Sequence, residues 1–514
     1  MRQFSKLLTL LIFLFTSGTL LAQNPANPLL YSYQAVQFGS QDGADDPISL
    51  IMPGTAFKSG LGSVADNPAS LALHRKSFVD FGLNFRSVNE NSNFLGQSRS
   101  LDNSANGVSN AGFLYAFPTV QGSMVMGATY TQHTVYDRAV GFRGRNNNSS
   151  ITDKFKADGS AYQEIAFNTY ATDFGDDVGD WDESIFRIGF DRFGDFLGIR
   201  QQGEIFESGI NGEYSLFFAT EFRENLMFGA SLGILSGRFH YDRVFQEIDE
   251  FNDYDSTIID TSDDGIGDTD IDSITLDDRL RSRFSGFRAR AGLLYKINDR
   301  ITIGGSYTLP STIEVKETFD AGITTVFDNR AEFSDATDSE FIYKVTLPQR
   351  FSLGAGYSDP DGGLSLSASA EYTDYSGTRI RFSESDLFDS ELIENDFIGD
   401  TYRGVLSYRV GAGYDISPDL TVRGGYSYLP GKLNENSVAR TVLAGGVGFS
   451  VAKDIRLDLA VQYSFWEDVT AVYDYAQYDY STLPDALPGL SFRSEEATRT
   501  ASRLKTVASI RFVF

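Results

Sequence analysis

Ten basic side chains could meet an anionic ligand. Arg403, Arg409, Arg423, Arg456, Arg503, Lys505 and Arg511 recur toward the C-terminus, and Arg288, Arg290 and Lys296 form a second group. A guanidinium presents a planar fork that matches the two oxygens of a carboxylate. Arg288, Arg290, Arg409 and Arg423 are the main candidates for a ligand head group. The same cations could instead pair with Asp66, Asp80, Glu371 and Asp458 and hold a segment in place, and both readings stand. A second run, DTSDDGIGD, carries Asp260, Ser262, Asp264 and Asp268 in the oxygen-ligand register of a calcium loop, with Gly265 at the turn. Its twelfth position is Ile271 rather than Glu and no helices flank it, so a solvated acidic loop fits too. The only expected cofactor is that calcium ion. There is no Cys, the three histidines (His74, His133, His240) are scattered, and no nucleophile elbow or phosphate loop occurs. Nothing points to an enzyme.

Alternation brings these cations together. In SFVDFGLNFRSV, Val79, Phe81, Leu83 and Phe85 fall on one face and Asp80, Gly82, Asn84 and Arg86 on the other. RFSGFRARAGLLYKI opposes Phe287, Ala289, Ala291, Leu293 and Tyr295 to Arg288, Arg290 and Lys296. DIRLDLAVQYSF does the same. A soluble sandwich sends its charged face to water. Long strands with an apolar face and an ionic face fit a transmembrane antiparallel β-barrel, with lipid outside and a polar lumen. Six short turns (PTVQG, REN, NDR, SDPDGG, SPD, AKD) alternate with seven longer loops, which predicts about 14 strands over 77–514. The largest loops are expected at 137–211 and 244–282. The closing SIRFVF suits the last strand of such a barrel.

Residues 1–22 read as a signal peptide: Arg2 and Lys6, the apolar LLTLLIFLF, then Ala22 before the cut. A formal net charge of −27 argues against a nucleic-acid partner. Residues 23–76 lack strand alternation and are expected to fold into the lumen as a hatch, or plug. Within them SVADNPASLAL predicts a short helix, with Asn67 capping it, Pro68 at its first position and Ala69 following.

These stretches resemble the FadL-type outer-membrane transport family. GTAFKSGLGSVADNPASLAL is similar to its hatch signature, KVTLPQRFSLGAGY to its Leu-Pro strand, and LSLSASAEYTDYSG, LTVRGGYSYLPG and LDLAVQYSF to its C-terminal hairpins. The resemblance implies a fourteen-stranded barrel of the Gram-negative outer membrane. It implies passive uptake of hydrophobic compounds, such as long-chain fatty acids or aromatic hydrocarbons, through a hatch-gated pocket and a lateral gap at the third strand. Gly127, the interior glycine of SMVMGATYTQHTV, is the candidate for that gap, or a glycine that merely packs against an aromatic. The expected partners are a hydrophobic small molecule or lipid and the membrane. An adaptor subunit of a secretion or assembly complex, with a protein bound at the extracellular loops, is the alternative. A porin for polar solutes is a further one.

Overall fold

The computed structural model describes residues 29–155, 162–173, 183–186, 197–255, 259–262, 264–359, 361–384, 387–435, 437–473 and 495–514. The expected signal peptide lies outside them. Among the described residues the strands form fourteen spans: β1 (Phe78–Phe94), β2 (Gln97–Ala116), β3 (Met124–Val135, continued by Arg138–Asn146), β4 (Ile199–Arg223), β5 (Leu226–Ile248), β6 (Ile271–Lys296), β7 (Ile301–Thr308 and Ser311–Phe327), β8 (Glu332–Leu347 and Arg350–Ser358), β9 (Leu364–Asp374 and Arg379–Phe382), β10 (Gly404–Ser417), β11 (Leu420–Leu429), β12 (Arg440–Ala452), β13 (Ile455–Tyr473) and β14 (Glu495–Val513). Each pairs antiparallel with the next. The sheet closes because β14 pairs with β1, from Val513 opposite Phe78 to Thr498 opposite Asn93. An even number of spans puts the start of β1 and the end of β14 on the side of the short turns, the periplasmic side of an outer-membrane barrel.

β1 shows why the sheet crosses a membrane. Its outward residues Val79, Phe81, Leu83 and Phe85 are exposed and apolar, and its inward Asp80, Asn84, Arg86 and Glu90 are buried and polar. Further along, the outward face changes to Asn89, Asn91 and Asn93, which marks where hydrocarbon ends.

Several strands run well past that boundary. A tilted membrane strand needs about 9–11 residues, yet β4, β5 and β6 have 25, 23 and 26. The expected loops at 137–211 and 244–282 are correspondingly shorter, with strand bounds leaving 147–198 and 249–270 between them. Two of the seven expected long loops are tight hairpins. β1 and β2 meet at Leu95–Gly96, both with positive φ (47° and 80°), a type I′ turn. β7 and β8 meet around residues 328–331. Beyond the membrane both faces of a strand can be polar, so the alternation that reveals the strand disappears while the ladder continues.

Three spans break near one another. β7 is interrupted at Leu309–Pro310, β8 at Pro348–Gln349 and β9 at Tyr375–Thr378. The two prolines lack the N–H that a central ladder needs. β3 breaks at Tyr136–Asp137. Its first half pairs with β2 only from Asn110–Thr131 to Ala116–Val125, and its second half pairs with β4 alone.

Candidate functional site

Residues 29–76 precede β1, and most are buried against inward-facing residues of the strands. They begin with helix α1 (Tyr31–Gly39), whose Phe38 stacks on Phe284 of β6 with ring centroids 4.5 Å apart. The following stretch is tied to itself through Asp46, which accepts hydrogen bonds from the backbone N–H groups of Ile48 (3.0 Å), Ser49 (3.1 Å) and Gly62 (2.6 Å). Asn67 caps the turn Pro68–Leu73: its Oδ1 accepts from Ala69 N at 2.9 Å. Its Nδ2 donates to Thr55 O (2.7 Å) and to Leu293 O of β6 (3.0 Å), so one side chain joins the turn, the segment and the wall. Pro68 and Ala69 approach β5 at Gly229, and Asn67 approaches β6 at Gly292. A Cβ at either glycine would collide with them.

The inward cations are largely spent on carboxylates. Arg409 is in close contact with Asp66 of the segment. Arg423 donates to Asp458 at 2.8 Å, and Arg456 reaches the same carboxylate at 3.1 Å. Arg290 grips Glu213 of β4 with both terminal nitrogens, at 2.6 and 2.7 Å. Arg288, beside it, lies 3.8 Å from Glu213. It is buried, and its Nε and Nη1 have no hydrogen-bond partner. Arg511 pairs with Asp80 at 2.7 Å. Lys505 donates to Asp45 at 2.7 Å, while Gln132 of β3 and Asn84 of β1 donate to its second oxygen at 3.0 and 3.3 Å. Arg403 departs from the inward set: it is exposed above β10 and faces Gly431 O.

A cavity of about 260 Å³ remains between α1, the broken stretch of β3 around Thr134–Arg138, and spans β10 to β14. Trp466 of β13 has the Arg440 and Arg503 guanidiniums 5.8 and 5.5 Å from its ring centre. Asp42 is in close contact with Arg440 and 4.0 Å from Arg503. Lys432, just past β11, donates to Ser40 and lies 5.0 Å over the Tyr375 ring. Burial pulls its ammonium down to about 8, against the opposing pull of Asp42. Tyr33 and Tyr402 complete an aromatic lining. The site therefore joins flat apolar surfaces to a surplus of positive charge, the combination that holds a compact apolar body with an anionic group. Sequence reading missed Arg440, Lys432 and Trp466. The one available signal was that Trp466 is one of only two tryptophans in a chain of 68 Phe and Tyr residues.

One expectation changes place. Gly127 is not at the wall break. It sits in an unbroken ladder between Leu114 and Phe217, and a Cβ there would meet Phe113 O and the Phe217 ring. It is a close-packing glycine, and β3 breaks nine residues later. In the 260–268 run the described carboxylates accept hydrogen bonds from the loop itself. Asp260 accepts from Ser262 N (3.1 Å) and Gly265 N (2.5 Å), Asp264 from Ile266 N (2.9 Å), and Asp268 from Thr261 N (3.1 Å). Among the described residues no three His, Asp or Glu side chains converge on a metal position.

A family model described as outer membrane protein transport protein (OMPP1/FadL/TodX) matches residues 225–498. Similar solved structures include the toluene transporter TodX of Pseudomonas putida (13% identity, 91% of this chain and 98% of that one, TM-score 0.48) and the toluene transporter TbuX of Ralstonia pickettii (17%, 91% and 98%, 0.45). A FadL homologue of Pseudomonas aeruginosa matches at 12% identity over 92% of this chain and 99% of that one, with TM-score 0.50, a likeness of fold. No curated protein matches the chain.

Proposed function

The chain belongs to the OMPP1/FadL/TodX family of outer-membrane transport proteins, and from that premise we propose that it takes up hydrophobic compounds bearing an anionic group. The observation that carries this reading is Trp466 with the Arg440 and Arg503 guanidiniums 5.8 and 5.5 Å from its ring centre, in a half-open cavity. A neutral hydrocarbon would leave the two guanidiniums with Asp42 as their one carboxylate among the described residues and, for Arg503, the Asp137 carbonyl, whereas a ligand carboxylate offers them a further acceptor pair. A fatty acid or aromatic acid has that chemistry. The neighbours TodX and TbuX are described as toluene transporters, and the charged lining argues for a different preference here.

In this reading residues 29–76 act as the hatch. Their ion pairs to β10, β12 and β14 hold it shut, and ligand reaches the cavity from the extracellular end. Exit is lateral, where β3 leaves β2 beyond Asn110–Thr131. Passing into lipid spares an alkyl chain the exposure to water that costs about 0.8 kcal/mol per CH₂. Passive flow down a gradient needs no energy source. Uptake of a radiolabelled fatty acid and of toluene by cells lacking other such channels tests the proposal. Acid uptake that depends on the protein supports it, and toluene uptake alone overturns it.

One observation favours the adaptor reading. The helix Phe388–Thr401, between β9 and β10, exposes Phe388, Leu392 and Ile393 at the extracellular end, an apolar face suited to a protein partner. Purification from native membranes with a stoichiometric large partner would favour it.

A further inference from the structure

The lipid-facing wall carries a groove of about 820 Å³. Directly paired residues on neighbouring strands share a face, so its walls can be read from the register. One wall is the row Ala111, Tyr130, Tyr214, Ile234 and Phe287, on β2 to β6 in order. The other is Phe113, Ala128, Leu216, Leu232 and Ala289. The backbone between the rows forms the floor, at Gly112, Ser215 and Gly233 among others. Ala111, Ala128 and Ala289 keep the groove wide, while Phe287, Leu232 and Leu216 stand 77, 69 and 67% exposed along it. The Tyr130 and Tyr214 rings, 4.8 Å apart, make one stretch of wall.

Both ends of the groove meet interruptions of the barrel. At β2 it begins one pair below Asn110–Thr131, the last rung before β3 parts from β2. At β6 it ends against Leu309 and Pro310, where β7 breaks. Five strands at about 4.8 Å spacing give roughly 19 Å of length, room for an extended alkyl chain. The lining is almost wholly apolar and lies within the apolar band, so an occupant must be soluble in lipid.

We infer that this groove is a binding site for the alkyl or aryl body of the transported molecule as it leaves the wall beside Asn110–Thr131, before it disperses in the membrane. The continuity of the groove with that break selects the emerging cargo over bulk lipid. The inference rests on the lateral-exit reading above. A molecule aligned against Leu216 and Leu232 is held at the wall and can move along it, so the wall break is cleared for the next one without any step through water.

The test uses the full chain in nanodiscs with a diazirine-bearing hexadecanoic acid and maps cross-links by peptide mass spectrometry. Saturable labelling at Leu216, Leu232 and Phe287 is expected, reduced at least tenfold by excess unlabelled hexadecanoic acid and abolished in Ala128→Trp and Ala289→Trp. Heat-modifiable gel migration establishes that both variants are folded. Labelling equal to that at Leu459 and Val461 on the far wall, and unaffected by competitor, is bulk lipid and overturns the inference. Saturable labelling near Trp466 without any in the groove overturns the groove alone and leaves the uptake reading intact. Saturable labelling at neither position overturns both.

Discussion

Lys505 on β14 donates to Asp45 of the N-terminal segment at 2.7 Å, with both side chains buried. Asp45 also takes hydrogen bonds from Gln132 of β3 and Asn84 of β1, so one carboxylate ties the segment to β3 on one side of the β2–β3 parting and to β1 and β14 on the other. Removing one partner of a buried pair leaves an uncompensated charge and costs about 3–5 kcal/mol. Asp45→Ala is therefore expected to unseat the segment while the barrel stays assembled, seen as increased uptake of small polar antibiotics at unchanged protein level. Asp45→Leu with Lys505→Met should leak less than Asp45→Ala, since no charge is stranded. Equal permeability in wild type and Asp45→Ala would refute this role.

Asn67 should be the next most sensitive position. Asn67→Ala loses a cap worth roughly 0.5–2 kcal/mol and leaves Thr55 O and Leu293 O without their donor, at about 1 kcal/mol or more each. Gly292→Ala attacks the same contact from the wall, because its Cβ would occupy the place of Asn67 Oδ1. Both variants are expected to show larger single-channel conductance in planar bilayers. Closed channels in both would make the turn a passive connector.

Arg440→Ala and Arg503→Ala should each weaken binding of a fluorescent fatty-acid analogue by about tenfold. That corresponds to roughly 1.4 kcal/mol, close to the lower end of what a charge-assisted hydrogen bond contributes. Quenching of Trp466 fluorescence by the bound probe reports site occupancy directly, and it should vanish in Trp466→Phe. Unchanged affinity in both arginine variants would move the head group elsewhere, with Arg288 and its two unpartnered nitrogens the next position to substitute.

Lys432 makes the same site pH-dependent. Its ammonium titrates near 8 rather than 10.5, so it is charged at pH 7 and neutral by pH 9. Affinity for an anionic ligand is expected to fall as pH rises through 8. Lys432→Met should bind more weakly at pH 7 and lose that dependence. A wild-type affinity flat from pH 7 to 9 would show that Lys432 does not face the ligand.

Much of this architecture could be read from period-two patterning. Val79, Phe81, Leu83 and Phe85 against Asp80, Asn84 and Arg86 require a sheet with lipid on one side and polar groups on the other. The count of turns and loops then predicts fourteen spans, and Asn67-Pro68 marks a capped turn from local backbone chemistry alone. Patterning went silent where strands left the membrane. The ladder of 89–107 is mostly polar on both faces, and in 318–327 the alternation inverts, with Ala321, Ile323 and Phe327 buried inward and Asp320 exposed outward, so only their paired neighbours make them strands of this wall. Gly127 shows the same limit: a glycine can mean a bend or a close contact, and the Phe217 ring beside it decided for contact. The cavity was out of reach for a further reason. Ser40, Lys432, Arg440, Trp466 and Arg503 come from five separated stretches, and their meeting depends on how the closed sheet rotates their strands toward the N-terminal segment. Pair distances of that kind are set by closure and lumen packing, to which residues hundreds of positions apart contribute and which no local period encodes.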